Sequence, residues 1–119
     1  MHRILLVDDD PDMLFLVKQM LVKKGYTVKV LMNGQSVLSN LASFHPDLII
    51  LDINLGDTDG REICSTIKSQ ARFCNIPIVL YSAEAWPDLR IADCRADAFI
   101  QKPFVHHFFL EKIAGLLAA

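Results

Sequence analysis

Cysteine, glycine and tryptophan are scarce in this sequence of 119 residues, and long apolar runs are missing altogether. Its three cysteines, Cys64, Cys74 and Cys94, form no CxxC pair and have no histidine at ligand spacing, which excludes a disulfide framework and a zinc site. No apolar run approaches the roughly 18 residues that a membrane-spanning helix requires. The apolar run at the N-terminus leads into three acids rather than a small-residue cleavage site. We therefore predict no signal peptide and expect a cytoplasmic protein.

An excess of charge of one sign is also lacking. Twelve Lys and Arg side chains stand against fourteen Asp and Glu, so the formal net charge is −2, and the basic residues are scattered along the chain. Nucleic-acid-binding domains concentrate positive charge on one face. We expect neither direct nucleic-acid binding nor contact with a membrane.

The composition is that of a folded domain, with 52% hydrophobic and 22% charged residues. A chain of this length fits one domain, residues 1–119, with a core of its own. Short apolar or β-branched runs recur along it and predict five strands. These runs are "RILLV" (3–7), "YTVKVL" (26–31), "DLIILD" (47–52), "IPIVLY" (76–81) and "DAFIQ" (97–101).

Stretches with helical spacing separate the predicted strands. Asp10 can cap a first helix that opens at Pro11 and ends before Gly25, a residue suited to a left-handed C-terminal cap. Asp59 can cap a third helix in the same way. Apolar stripes mark two other helices: Val37, Leu38 and Leu41 in the second, and Phe104, Phe108, Ile113 and Leu117 in the last, widened by Phe109, Leu110 and Leu116. A short fourth helix is predicted to start near Pro87.

Alternating strands and helices predict a parallel sheet that is covered on both faces, because each helix must return over the sheet before the next strand starts. In such open sheets the ligand site lies at the carboxyl ends of the strands. Polar residues gather at that edge. They are Asp8, Asp9 and Asp10 after the first strand, Asp52 after the third, Ser82 after the fourth and Lys102 after the fifth.

Several carboxylates in close proximity repel one another unless a cation or a proton is present. Mg²⁺ (or Mn²⁺) prefers oxygen ligands and is often held by one or two carboxylates together with a phosphate, which suits Asp9 and Asp52 with Asp8 beside them. Lys102 adds a fixed positive charge. Two cations, a hydroxyl and a carboxylate around one point indicate a phosphoryl-transfer site with Asp52 as the nucleophile.

Four motifs of the sequence resemble those of one known family, in the family's order. "LLVDDDP" resembles its acidic pair, "LIILDINL" its phosphoacceptor strand, "IVLYSA" its Ser/Thr strand and "AFIQKPF" its Lys-Pro strand. The chain thus resembles, end to end, a CheY-like response-regulator receiver domain of two-component signalling. The resemblance implies a flavodoxin-like doubly wound sheet of five parallel strands in the order 2-1-3-4-5, and a phosphorelay switch more than an enzyme. Such a domain catalyses only its own phosphoryl transfer and dephosphorylation.

The resemblance also implies roles for individual residues. Asp52 would be the phosphoacceptor, and Lys102, in a cis peptide bond with Pro103, would bind the phosphoryl group. Ser82 and Phe99 would be the switch hydroxyl and the switch aromatic. The implied metal site consists of Asp8, Asp9, Asp52 and the main-chain carbonyl of Asn54.

The family's usual partners are a further implication. We expect a sensor histidine kinase or a histidine phosphotransfer protein as phosphoryl donor, and a downstream protein or effector domain as recipient of the signal. The output face would consist of the fourth helix, the fifth strand and the last helix, and a homodimer through this face is one arrangement that the family implies. Both a stand-alone receiver and part of a longer regulator or hybrid kinase fit the sequence.

Less specific interpretations stand beside these. A receiver fold that binds partners without phosphorylation would lack magnesium binding, and a magnesium-dependent phosphohydrolase would turn over small phosphomonoesters.

Asp10 fits a helix cap better than a metal ligand, because Pro11 follows it. Adjacent His106 and His107 cannot share a helix face at ligand spacing. Trp86 is interpreted as a loop anchor more readily than as a partner contact.

Overall fold

Five parallel strands form the centre of the computed structural model, which describes residues 2–56, 58–83 and 94–118. Their spatial order is β2-β1-β3-β4-β5. The predicted doubly wound sheet and its strand order are confirmed, with strand bounds within two residues of those expected. The strands are β1 (Arg3–Val7), β2 (Thr27–Leu31), β3 (Leu48–Asp52), β4 (Ile78–Ser82) and β5 (Ala98–Gln101).

Four helices lie in the described part of the chain: α1 (Pro11–Lys23), α2 (Val37–Phe44), α3 (Gly60–Lys68) and α4 (His106–Ala118). The side chain of Asp10 accepts hydrogen bonds from the main-chain N–H groups of Asp12 and Met13, and that of Asp59 accepts from Arg61, so both predicted caps are confirmed. Gly25 follows α1 with φ of 93°, the left-handed conformation expected of it. The predicted helix near Pro87, and Trp86 with it, lie outside the described residues.

The sheet separates two apolar layers. On one face, Leu5, Ile49 and Leu80 pack with residues of α2 and α3. On the other, Ile4, Ile50 and Tyr81 pack with residues of α1 and α4. β3 and β4 are buried along their whole length, as expected of central strands in a sheet covered on both faces.

The apolar stripe of the last helix differs from the prediction. Phe109 and Ile113 are its buried residues, whereas Phe108, which was placed on the core face, is 56% exposed. Phe104 stacks on Phe109, with ring centroids 4.5 Å apart. Two adjacent phenylalanines make either orientation of the helix compatible with the sequence, and packing against the sheet and α1 buries the side that carries Phe109 and Ile113.

Side-chain alternation along the strands places three polar side chains at one end of the α1/α4 layer. Asp8 continues the alternation of Ile4 and Leu6, and Asp52 continues that of Leu48 and Ile50. Tyr81 belongs to the same layer, so its side chain lies on the same face of the sheet. Across the described residues, no helix is both long and apolar enough to span a bilayer.

Candidate active site

A cleft of about 270 Å³ opens at the carboxyl ends of the strands. Six of the seven residues predicted for the site line it, so most of the expected constellation is assembled. Its lining comprises Asp8, Asp9, Asp10, Asp52, Asn54, Ser82, Ala83 and Lys102. The seventh, Phe99, is half-buried and packs against the α2/α3 layer instead.

Three carboxylates converge in this cleft. Asp8, Asp9 and Asp52 each offer an oxygen, and these oxygens lie within 4.8 Å of one another. Asp8 and Asp52 are buried, whereas Asp9 is exposed at the mouth of the cleft. All-oxygen donors open to water on one side fit a hard divalent cation such as Mg²⁺, which keeps several of its waters. The donor set therefore fits the predicted ion.

Asp52, the last residue of β3, is held on both carboxylate oxygens. The main-chain N–H of Asn54 donates to Oδ1 at 3.1 Å, and Lys102 Nζ donates to Oδ2 at 3.1 Å. Burial raises the pKa of Asp52 to about 6; Lys102 opposes this change and the neighbouring Asp8 reinforces it. Removing this carboxylate from water is thus only partly compensated by the protein itself, and a further cation would favour its ionised form.

Asp8 is fully buried, yet it is surrounded by donors. Its Oδ1 accepts the main-chain N–H of Asp10 at 3.0 Å, and its Oδ2 accepts the Tyr81 hydroxyl at 2.6 Å and Lys102 Nζ at 3.1 Å. Burial works against the charged form, but these donors prevail and lower the pKa of Asp8. Asp8 and Asp52 therefore differ in protonation behaviour although both contact the same ammonium group.

Lys102 lies between the two buried carboxylates. Its Nζ is also 4.2 Å from the centroid of the Tyr81 ring, which places the ammonium group over an aromatic face. Its main-chain N–H donates to the carbonyl of Ser82 at 2.7 Å, and its bond to Pro103 is cis, as the resemblance implies. These contacts bring the ends of β4 and β5 together around Asp52.

The loop after Asp52 packs closely against the strand end. A Cβ atom at Gly60 would overlap the main-chain oxygen of Asp52, so only glycine allows α3 to begin this close to the phosphoacceptor candidate. The N–H of Gly60 donates to the carbonyl of Ile53 at 2.7 Å. Gly56, with φ of 82°, turns the loop in a conformation that other residues disfavour.

Sequence reasoning missed Tyr81. It lies directly before Ser82 and was interpreted only as part of an apolar strand, although the phenol contacts both Asp8 and Lys102. A tyrosine at the last-but-one position of a buried strand was the available signal, because a buried hydroxyl requires a partner. His106 and His107, by contrast, are exposed and lie outside the site, and His107 pairs with Glu111 at 3.0 Å.

Comparisons with known proteins agree with this geometry. Residues 4–114 match the family model described as "Response regulator receiver domain". The sensory transduction protein BceR of Halalkalibacterium halodurans is 33% identical over 119 residues, 98% of this chain and 50% of the relative. The DNA-binding dual master transcriptional regulator RpaA of Synechocystis is 32% identical over 98% of this chain and 49% of its own. The chain spans about half the length of these curated relatives.

A solved structure shows the same fold at similar identity. The signal receiver domain of a signal transduction histidine kinase from Syntrophus aciditrophicus has a TM-score of 0.92 and 31% identity, with 99% of this chain and 91% of that chain covered. The four polar strand ends, the strand order and these likenesses lead to one conclusion. The chain belongs to the response regulator receiver domain family, the phosphoryl-accepting switches of two-component signalling.

Proposed function

We propose that Asp52 accepts a phosphoryl group from a phosphohistidine. The observation that carries the proposal is a buried carboxylate that contacts a lysine at 3.1 Å, beside two further acids at the carboxyl edge of the sheet. An Asp52 oxygen attacks phosphorus and forms the O–P bond. The P–N bond breaks, and its electron pair stays on the imidazole nitrogen, which takes a proton. The product is an aspartyl phosphate.

We propose Asp8, Asp9, Asp52 and the carbonyl of Asn54 as the residues that hold Mg²⁺ or Mn²⁺. The convergent oxygens of the three acids support this assignment, and Asn54 lines the same cleft. A bound divalent ion would supply positive charge that offsets the charge on the phosphoryl oxygens. The protein's own part is to fix Asp52 through Asn54 and to keep Lys102 within reach of the group being transferred.

Ser82 and Phe99 would convert the new charge into a change of shape. Ser82 ends β4 at the rim of the cleft, and Phe99 in β5 is the register partner of Leu80. The phosphoryl oxygens would attract the Ser82 hydroxyl, and Phe99 would follow it inward. Such a change biases two packings of β5 and α4, one of which a partner prefers. It requires no catalysis beyond the domain's own phosphoryl transfer and dephosphorylation.

Partners follow from the same assignment. We propose a histidine kinase or histidine phosphotransfer protein as the donor and a downstream protein or effector domain as the recipient, in the cytoplasm. No disulfide bond joins Cys64, Cys74 and Cys94, which suits that compartment. Because curated relatives such as RpaA are about twice as long, contact with DNA is proposed for an effector outside residues 1–119 rather than for the receiver. A homodimer through β5, α4 and the segment before β5 remains a further proposal.

The test is the intact mass of the purified protein after incubation with acetyl phosphate. We expect one added phosphoryl group in the presence of Mg²⁺ and none after chelation. Asp52→Asn should take up none. Asp12→Asn, which changes an exposed acid in the first turn of α1, should behave like the parent and serves as the matched control.

Three results would contradict the proposal. Phosphoryl uptake by Asp52→Asn would assign the reaction to another residue. A parent that neither gains mass nor binds beryllofluoride with Mg²⁺ would favour a phosphorylation-independent interaction module. Repeated turnover of a phosphomonoester would instead indicate a phosphohydrolase.

A further inference from the structure

Tyr81 places a phenol against two charged residues of the site. It is the register partner of Asp52 on the neighbouring strand, and it is fully buried. Its hydroxyl donates to Asp8 Oδ2 at 2.6 Å, a length typical of a hydrogen bond to an ionised carboxylate. The residue thus contacts an acid of the proposed metal site without being a ligand itself.

The ring of Tyr81 makes a second contact. Lys102 Nζ lies 4.2 Å from the ring centroid and 3.1 Å from an oxygen of both Asp8 and Asp52. The ammonium group is therefore bounded by two carboxylates and one aromatic face. A single side chain contacts both charged neighbours of Asp52, the acid through its hydroxyl and the lysine through its ring.

This arrangement matters once Asp52 carries a phosphoryl group. Lys102 would then be attracted to the phosphoryl oxygens and would give up part of its contact with Asp8. Asp8 is fully buried, so losing its donors would be costly. The Tyr81 hydroxyl, which donates to the same Oδ2, would stay bonded and would limit that cost.

We propose that Tyr81 is a positioning residue for phosphoryl transfer, which keeps Asp8 hydrogen-bonded while Lys102 follows the phosphoryl group. The inference rests on the proposed function of Asp52. The alternative is that the hydroxyl merely finds an acceptor in the core, as buried tyrosines do. The two accounts differ in which property changes when the hydroxyl is removed.

The test compares Tyr81→Phe with the parent, with both measured per folded molecule. Phenylalanine keeps the ring beneath Lys102 and removes only the hydroxyl. At saturating Mg²⁺ we expect the rate of phosphorylation by acetyl phosphate and the affinity for beryllofluoride to fall about tenfold, equivalent to about 1.4 kcal/mol. The affinity for Mg²⁺ alone, measured by calorimetry, should not be weakened, because Asp8 loses a competing donor.

Tyr26→Phe is the matched control. Tyr26 lies just before β2, at the opposite edge of the sheet, and the same substitution there should leave all three quantities unchanged. A Tyr81→Phe protein with parental phosphorylation and beryllofluoride binding would overturn the inference. So would a loss of Mg²⁺ affinity by the same factor as the rate, since that pattern indicates general damage to the site. Failure of the parent itself to react would reject the proposed function, and this inference with it.

A second measurement applies if Tyr81→Phe does not fold. In the Tyr26→Phe background, Tyr81 is the only tyrosine and can be replaced biosynthetically by 3-fluorotyrosine. We expect its ¹⁹F resonance to shift when Mg²⁺ and beryllofluoride are added together, because the ring then loses part of its contact with Lys102. An unchanged resonance would overturn the inference.

Discussion

At the scale of single residues, the two buried carboxylates of the site are stabilised by the ammonium group of Lys102 and by hydrogen-bond donors. Asp8 and Asp52 contact the same ammonium group, yet the pKa of Asp8 is lowered and that of Asp52 is raised to about 6. Burial raises both pKa values and Asp8 further raises that of Asp52, but the two carboxylates also differ in their other donors. Asp8 has Tyr81 and the N–H of Asp10, whereas Asp52 has the N–H of Asn54. The residue proposed to react is thus the less stabilised of the two.

This difference predicts that Asp52→Asn is more stable than the parent without metal. Because the folded-state pKa of Asp52 lies above its ordinary value, the native protein binds this proton more tightly than the unfolded chain does. Ionising Asp52 therefore lowers the free energy of unfolding as pH rises from about 4 to 6, and the cost is complete above that range. At pH 7.5 with a chelator, the gain should be on the order of 1–3 kcal/mol, since one pKa unit corresponds to about 1.4 kcal/mol.

Urea denaturation of both proteins at several pH values is the measurement. The difference between them should shrink towards pH 4, where Asp52 of the parent is protonated. Added Mg²⁺ should stabilise the parent more than the variant, because it binds the folded state through the acid that the variant lacks. An Asp52→Asn protein that is less stable than the parent at pH 7.5 without metal would refute this account.

Most of the site could be predicted from the sequence because its residues follow strands directly. Asp8 and Asp52 each end an apolar run, Lys102 follows the last predicted strand, and parallel strands bring their carboxyl ends to one edge. Tyr81 could not be assigned in the same way. Its contacts depend on which face of β4 it occupies relative to β1 and β5, and that relation requires three pairings, of β1 with β3, of β3 with β4 and of β4 with β5.

At the scale of secondary-structure elements, the contact between β3 and α3 decides where Asp52 sits. α3 begins at Gly60, and a side chain there would meet the carbonyl oxygen of Asp52 and the Cα of Ile53. Asp59 fixes the start of the helix by accepting the N–H of Arg61 at 2.8 Å. The sequence predicted this cap, but the close approach of helix and strand is visible only in three dimensions.

Gly60→Ala is therefore expected to be costly. The added methyl group must push α3 away from the end of β3, which should destabilise the protein by about 1–3 kcal/mol. The matched control is Gly115→Ala in α4, where a Cβ would meet nothing within 4 Å. That change should be neutral or stabilise the helix by about 0.5–1 kcal/mol, because alanine loses less chain entropy than glycine does.

Midpoints of urea denaturation for the two variants decide the question. Gly60→Ala should also bind Mg²⁺ more weakly than Gly115→Ala, since displacing α3 moves the Asp52 main chain. Equal stability of the two variants would show that α3 can move away from the end of β3 at little cost in the free energy of unfolding.

The bounds of the strands and helices were predicted better than the side of α4 that faces the sheet. Strand bounds followed from runs of β-branched and apolar residues, and the caps of α1 and α3 followed from Asp10 and Asp59. In α4 the apolar residues are nearly continuous, so the sequence did not determine which side faces the sheet. Packing of Phe109 and Ile113 against the α1/α4 layer made that choice.

At the scale of the whole molecule, one charged network lies at the carboxyl ends of the strands and another at their amino ends. The two networks have different roles. The network at the carboxyl edge surrounds Asp52. At the opposite edge, Lys68 Nζ donates to the carbonyls of Cys74 and Ile76 at 3.3 and 2.8 Å and to Asp97 Oδ2 at 2.7 Å. The same carboxylate oxygen accepts the N–H of Ile78 at 2.8 Å. This lysine ties α3 to the beginnings of β4 and β5.

The separation predicts that Lys68→Met affects stability without affecting phosphorylation. Its side chain is only 9% exposed, so methionine fits the space but leaves two carbonyls without their donor. The loss should be about 2 kcal/mol, a value typical of hydrogen bonds made by a charged group. Asp97 is more exposed, and water can replace its contact with the lysine. Lys112→Met, at an exposed position of α4, should stay within about 0.5 kcal/mol of the parent.

Two measurements on the same preparations test whether the two edges of the sheet are independent of each other. Urea denaturation reports the loss of stability, and the rate of phosphorylation by acetyl phosphate at saturating Mg²⁺, measured where both variants are folded, reports the site. A folded Lys68→Met protein should react at the parental rate, because its contacts end at the amino ends of β4 and β5. A reduced rate would instead show that a structural change at the amino ends of β4 and β5 is transmitted along these strands to Asp52, Tyr81 and Lys102.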